Sequence, residues 1–174
     1  MRSDMTAACR LPLDRITGSV MSVAAAALAL MGCSGGSSLE NEQTPDKAKD
    51  AVVVMVDDTA SAVDGTWSVA SGPAVQACKR DGGGHGAAYF YTKMREPRAG
   101  DPSDDVAIVE RLWKDKGLTT ERYESGGADP TLGVRGTGGP TTSIDFLADE
   151  RGYSLDAVSV CTAGDAEELQ RNGE

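Results

Sequence analysis

From Val20 to Met31 the chain is apolar, broken only by Ser22, and it then runs straight into Gly32-Cys33-Ser34-Gly35-Gly36-Ser37-Ser38. The apolar run is about a dozen residues long, whereas a helix needs ~20 to span a bilayer. A buried core helix would need neighbours to pack against, and the next residues are a Gly/Ser/Glu linker. Arg2, Arg10 and Arg15 precede the run, diluted by Asp4 and Asp14. A basic head, a short apolar middle and a small residue at the break are the parts of an export signal. The folded domain is therefore built from the residues beyond the linker.

Leu30-Met31-Gly32-Cys33 resembles a bacterial lipobox. Gly32 takes the small position before the cut and Leu30 the apolar position two before it, with Met31 a less usual residue between them. The resemblance implies that Cys33 receives a diacylglyceryl group on sulfur and becomes the first residue of a protein exported to the outer face of the cell membrane. A single acyl chain anchors only marginally, while two anchor stably. The expected organisation is a signal peptide over 1–32, a lipidated cysteine and tether over 33–44, and one domain over 45–174. Met5 is an alternative start. As a random coil the tether reaches ~17 Å, or ~35 Å fully extended.

The whole chain has a formal net charge of −10 and a sequence pI near 4.6. The signal segment removes one more base than acid, so the remainder is slightly more negative still. Such a domain is repelled by phosphodiester backbones and by anionic headgroups. Nucleic acid is excluded as a partner, and the membrane is met through the lipid on Cys33 alone. With Cys9 and Cys33 assigned to signal and anchor, Cys78 and Cys161 remain as an even pair in a compartment where disulfides persist. Closing a loop of about 80 residues is worth roughly 4–5 kcal/mol by chain entropy. A redox or metal role is disfavoured, because there is no Cys-x-x-Cys and the one histidine is His85.

Thr44-Pro45-Asp46 starts a helix, with a hydroxyl cap, a proline in the first turn and an acid at the positive end. Ala48, Val52, Met55, Val56, Thr59 and Val63 then share one face. Trp67–Val69 reads as a short strand, Gly72-Pro73 as a turn, and His85–Met94 as a strand with both faces useful. Asp101-Pro102 starts a second helix with Val106, Val109, Leu112 and Trp113 as its buried stripe, stopped at Gly117. Four strands follow, over 118–124, 131–135, 142–148 and 153–161, and Ala166–Arg171 forms a helical turn. The fold class expected is α+β: an antiparallel sheet of about five to six strands with two helices packed on one face. A lipobox, a polar tether and a last strand ending Val158-Ser159-Val160-Cys161 resemble the small actinobacterial lipoproteins of the mycobacterial LppA type. That resemblance implies a fold and a location, and no active site.

Gly82-Gly83-Gly84-His85-Gly86 lacks the Lys-Ser/Thr of a phosphate loop and offers a metal one imidazole only. It reads as a mobile loop or a glycine-widened strand start. No Gly-x-Ser-x-Gly is present to activate a serine. Asp57-Asp58 and Asp104-Asp105 lack calcium-loop spacing and read as solvated helix acids. Catalytic residues, metal ligands and cofactors are accordingly not expected. Tyr89-Phe90-Tyr91 must show a ring to each side of the sheet, so Tyr89 or Tyr91 is the candidate binding residue on a face left open by the helices. The function expected is a non-enzymatic envelope lipoprotein that binds another envelope protein, a peptide or a small ligand. The alternative is a small envelope hydrolase or carbohydrate-active enzyme using acidic residues.

Overall fold

In the computed structural model, which describes residues 43–97 and 100–173, the first element is helix α1 (Pro45–Ala62). Its cap is Thr44, whose hydroxyl accepts from the Lys47 amide at 3.4 Å, with Pro45 in the first turn. Strands β1 (Trp67–Lys79) and β2 (His85–Arg95) form a hairpin, and helix α2 (Pro102–Asp115) follows. The chain then meanders through β3 (Thr119–Ser125), β4 (Thr131–Gly138), β5 (Thr141–Asp149) and β6 (Gly152–Ser159), and closes with α3 (Ala166–Arg171).

The sheet order is β1-β2-β6-β5-β4-β3, antiparallel at every junction. Helix α2 carries the chain from β2 to the far edge, and the meander returns so that β6 pairs with β2. The α+β architecture expected from the sequence is present, with α1 packed on β2 and β6 and α2 on β4 and β5. The short α3 rests on β1 and β2 and adds Ala166 to the same core.

The first two strands differ from the expected short strand and turn at Gly72-Pro73. They are one hairpin, and β1 runs on through Gly72-Pro73 with register shifts between Val69 and Ser71 and between Ser71 and Ala74. A bulge takes up the extra residues without ending the pairing. Gly72 has φ +77°, and a Cβ there would collide with the Phe90 carbonyl oxygen. Only glycine fits.

Trp113, Tyr89, Phe146, Ile144, Leu155, Val52 and Val56 are fully buried between helices and sheet. Each side chain of that size contributes ~1.5–3 kcal/mol on leaving water. The Phe146 and Tyr153 rings meet edge to face, with centroids 5.5 Å apart. The two long helices are also joined by polar contacts. Trp113 Nε1 donates to the Thr59 hydroxyl at 2.9 Å, and that hydroxyl donates to the Met55 carbonyl at 2.8 Å. Lys116 Nζ lies 2.6 Å from Asp58, and Lys93 Nζ 2.6 Å from Asp57. The acids of α1 thus tie the helix to its neighbours; they are not merely solvated, as the sequence pattern suggests.

Candidate functional site

Alternation along each strand divides its side chains between the helix layer and an opposite face that no described helix covers. In β2 the odd positions point to the helices, so Tyr89 and Tyr91 are both buried, at 0% and 5% exposure. This corrects the expectation that one of them serves a binding face: residues two apart on a strand share a side. Of the three β2 rings, the one on the uncovered side is Phe90, which is half-buried.

Strand register arranges the uncovered side in rows that cross the sheet. In one row Met94 is opposite Ser154, Ser154 opposite Leu147, Leu147 opposite Gly133, and Gly133 opposite Tyr123. In the next, Thr92, Asp156, Asp145, Arg135 and Glu121 follow one another across β2, β6, β5, β4 and β3. In the third, Ala74 is opposite Phe90 and Phe90 opposite Val158. A charged row is therefore flanked on both sides by apolar side chains. Met94 is 52% exposed, and Phe90, Leu147 and Val158 are partly so.

Asp145 is held tightly. Tyr123 Oη donates to it at 2.8 Å, and Arg135 Nε reaches both its oxygens at 3.1 Å. The Tyr123 ring lies over Gly133, where a Cβ would come within 2.6 Å of the ring. Burial, and then the Asp145 acceptor, push the Tyr123 hydroxyl up to about 12. Asp156 stands directly opposite Asp145 and is exposed. It accepts from the Thr92 hydroxyl at 2.7 Å, and no cation lies within ion-pair distance of it among the described residues. Like charges directly opposite each other in a sheet are unfavourable. Sequence alone could not nominate this pair, because it exists only in the register of β5 on β6.

The apolar row opens at its end into a groove of about 480 Å³ that includes Met94, Leu147, Ser154, Thr131, Asp149 and Arg151. Arg151 first, and then the Thr131 hydroxyl, hold the Asp149 carboxyl down at about 2. On the helix side, Arg95 is 4% exposed and its guanidinium stacks 3.5 Å from the Tyr153 ring centre. Tyr153 Oη donates to Asp105 at 2.7 Å, and Arg95 donates to the Asp64 carbonyl. Asp105, read from the sequence as a solvated helix acid, is thus part of a polar clamp joining the end of α1, the start of α2 and the sheet.

Cys78 and Cys161 form a disulfide with Cα atoms 5.9 Å apart and a sequence separation of 83. His85 is exposed at the start of β2 and borders a shallow cavity of about 450 Å³ with Asp165 and Glu167. Among the described residues there is no group of metal-ligating side chains, and no helix is long and apolar enough to cross a membrane. The lipobox cysteine, Cys33, lies outside the described residues.

No protein-family model matches the chain, and no curated protein matches it. A solved structure, that of a DUF4853 family protein from Actinomyces odontolyticus ATCC 17982, is similar at 19% identity with a TM-score of 0.43. The alignment covers 68% of this chain and 64% of that one, so the chain spans less than two thirds of that neighbour's length.

Proposed function

We propose that the chain is an exported lipoprotein, held to the outer face of the cell membrane through lipid on Cys33, whose domain is a non-enzymatic binding module of the envelope. The observation that carries the binding reading is the one-sided coverage of the sheet. Three helices occupy one face, while the other presents Phe90, Val158, Leu147 and Met94 around a charged row. Apolar side chains left partly in water and gathered on one face mark an interaction surface. The location rests on the apolar run ending at Leu30-Met31-Gly32-Cys33.

The facing carboxylates of Asp145 and Asp156 are the one feature that favours the carbohydrate-active alternative. Glycoside hydrolysis places two carboxyl groups on either side of the scissile bond. Here they are cross-strand neighbours on one sheet face, neither lines the groove beside them, and Asp145 is engaged by Tyr123 and Arg135. The arrangement suits holding a ligand better than protonating one.

Two variants of the full chain, expressed in its own envelope, test the reading. Cys33→Ser should take up no radiolabelled palmitate, and labelling equal to the parent would refute the anchor. A photo-crosslinking side chain at Met94 on the open face should give a discrete adduct, while one at Val54, which is 57% exposed on α1, should not. Equal adducts from both positions, or none from Met94, would refute the binding face.

A further inference from the structure

We infer that the occupant of the open face is an extended polypeptide segment of a partner protein, with a lysine or arginine at one position and apolar side chains two residues to either side. This rests on the proposed binding role of that face and names the partner's chemistry. The pattern is taken from β6, whose open-face residues Ser154, Asp156 and Val158 lie at successive alternate positions. Same-face residues on a strand are ~7 Å apart. An extended segment laid over β6 repeats that interval, so its alternate side chains meet three surfaces in turn. The first is the groove floor of Met94 and Leu147 beside Ser154, the second is Asp156, and the third is the Phe90–Val158 pair.

Charge decides among occupants. Asp145 is neutralised by Arg135, whereas Asp156 is exposed, has a hydroxyl as its partner and faces a second carboxylate. A cation placed on Asp156 gains a charge-assisted bond and relieves the cross-strand repulsion at once. A second copy of this chain would bring the same exposed Asp156 and a net charge at least as negative as −10 to the contact. An anionic lipid surface is repelled for the same reason. A basic, apolar-flanked segment complements the face in both charge and spacing.

The test uses the full chain in detergent micelles and a fluorescent peptide with leucine, lysine and phenylalanine at alternate positions, separated by serines. Anisotropy should show saturable binding that weakens as salt is raised. Binding should fall about tenfold when lysine is replaced by glutamate, and by a similar factor in Asp156→Asn. Asp156→Asn keeps the acceptor for Thr92, so the fold is preserved; Asp50→Asn on α1 should bind as the parent does. The inference is overturned by parent-like binding in Asp156→Asn, by equal binding of the glutamate peptide, by no binding to the parent, or by full displacement with equimolar spermidine. Any of these alongside a discrete adduct from Met94 would remove the basic segment and leave the binding face standing. Loss of the Met94 adduct would remove both.

Discussion

Replacing Thr59 with valine tests whether the two long helices form one layer, the condition that leaves the opposite sheet face uncovered. Thr59 and Trp113 are both fully buried, and the indole donates to the hydroxyl at 2.9 Å. Valine has nearly the same shape but no acceptor, so Trp113 Nε1 is left unsatisfied in the core, at a cost of ~1–3 kcal/mol. The Met55 carbonyl loses a donor as well, though it keeps its place in the helix ladder. The added methyl returns less than ~1 kcal/mol. The net loss is about 1–2 kcal/mol, or a Tm lower by about 4–8 °C for a domain of this size. Urea unfolding of the full chain, followed by far-ultraviolet circular dichroism, measures it. In a Trp113→Phe background the orphaned donor is gone, so the same Thr59→Val change should cost almost nothing. An equal cost in both backgrounds would refute the account of how α1 and α2 are joined.

Tyr123 and Tyr153 should ionise only near pH 12, by absorbance at 295 nm, since burial and then the Asp145 and Asp105 acceptors raise them. Because their folded values lie above the unfolded ~10, the stability they contribute is complete below pH 10 and lost as the pH climbs toward 12; Tyr153→Phe should shrink that loss. Mass spectrometry of the unreduced protein should find one Cys78–Cys161 bridge, and two alkylatable thiols would contradict it. His85→Ala should change stability by less than ~0.5 kcal/mol, since His85 is exposed at the start of β2, just past the Gly82–Gly84 turn; a stably folded variant without partner binding would move the site to that end of the hairpin.

The helix starts were legible because Thr44-Pro45 and Asp101-Pro102 solve a local problem, the orphan amides of a first turn, with residues adjacent in the chain. The disulfide was legible by elimination among four cysteines. The length of β1 was not, because Gly72-Pro73 normally turns a chain, and it is the pairing with β2 that carries the strand past it. Nor was the side taken by Tyr89 and Tyr91. Alternation says that they share a face, and only the placement of α1 over β2 says that this face is the core. The Asp156–Asp145 row was hidden for the same reason. Cross-strand neighbours are set by hairpin register, with a shift between Thr141 and Ser143 that no local residue announces.

Carbene footprinting of the full chain, in native membranes and again after purification in detergent, asks directly whether the open face is occupied where the protein works. Phe90, Met94, Leu147 and Val158 should be labelled several-fold less in the membranes than after purification. Val54 and Ile108, exposed on the helices, should be labelled equally in both. Equal labelling of the sheet face in the two preparations would contradict the claim that this face is the binding surface.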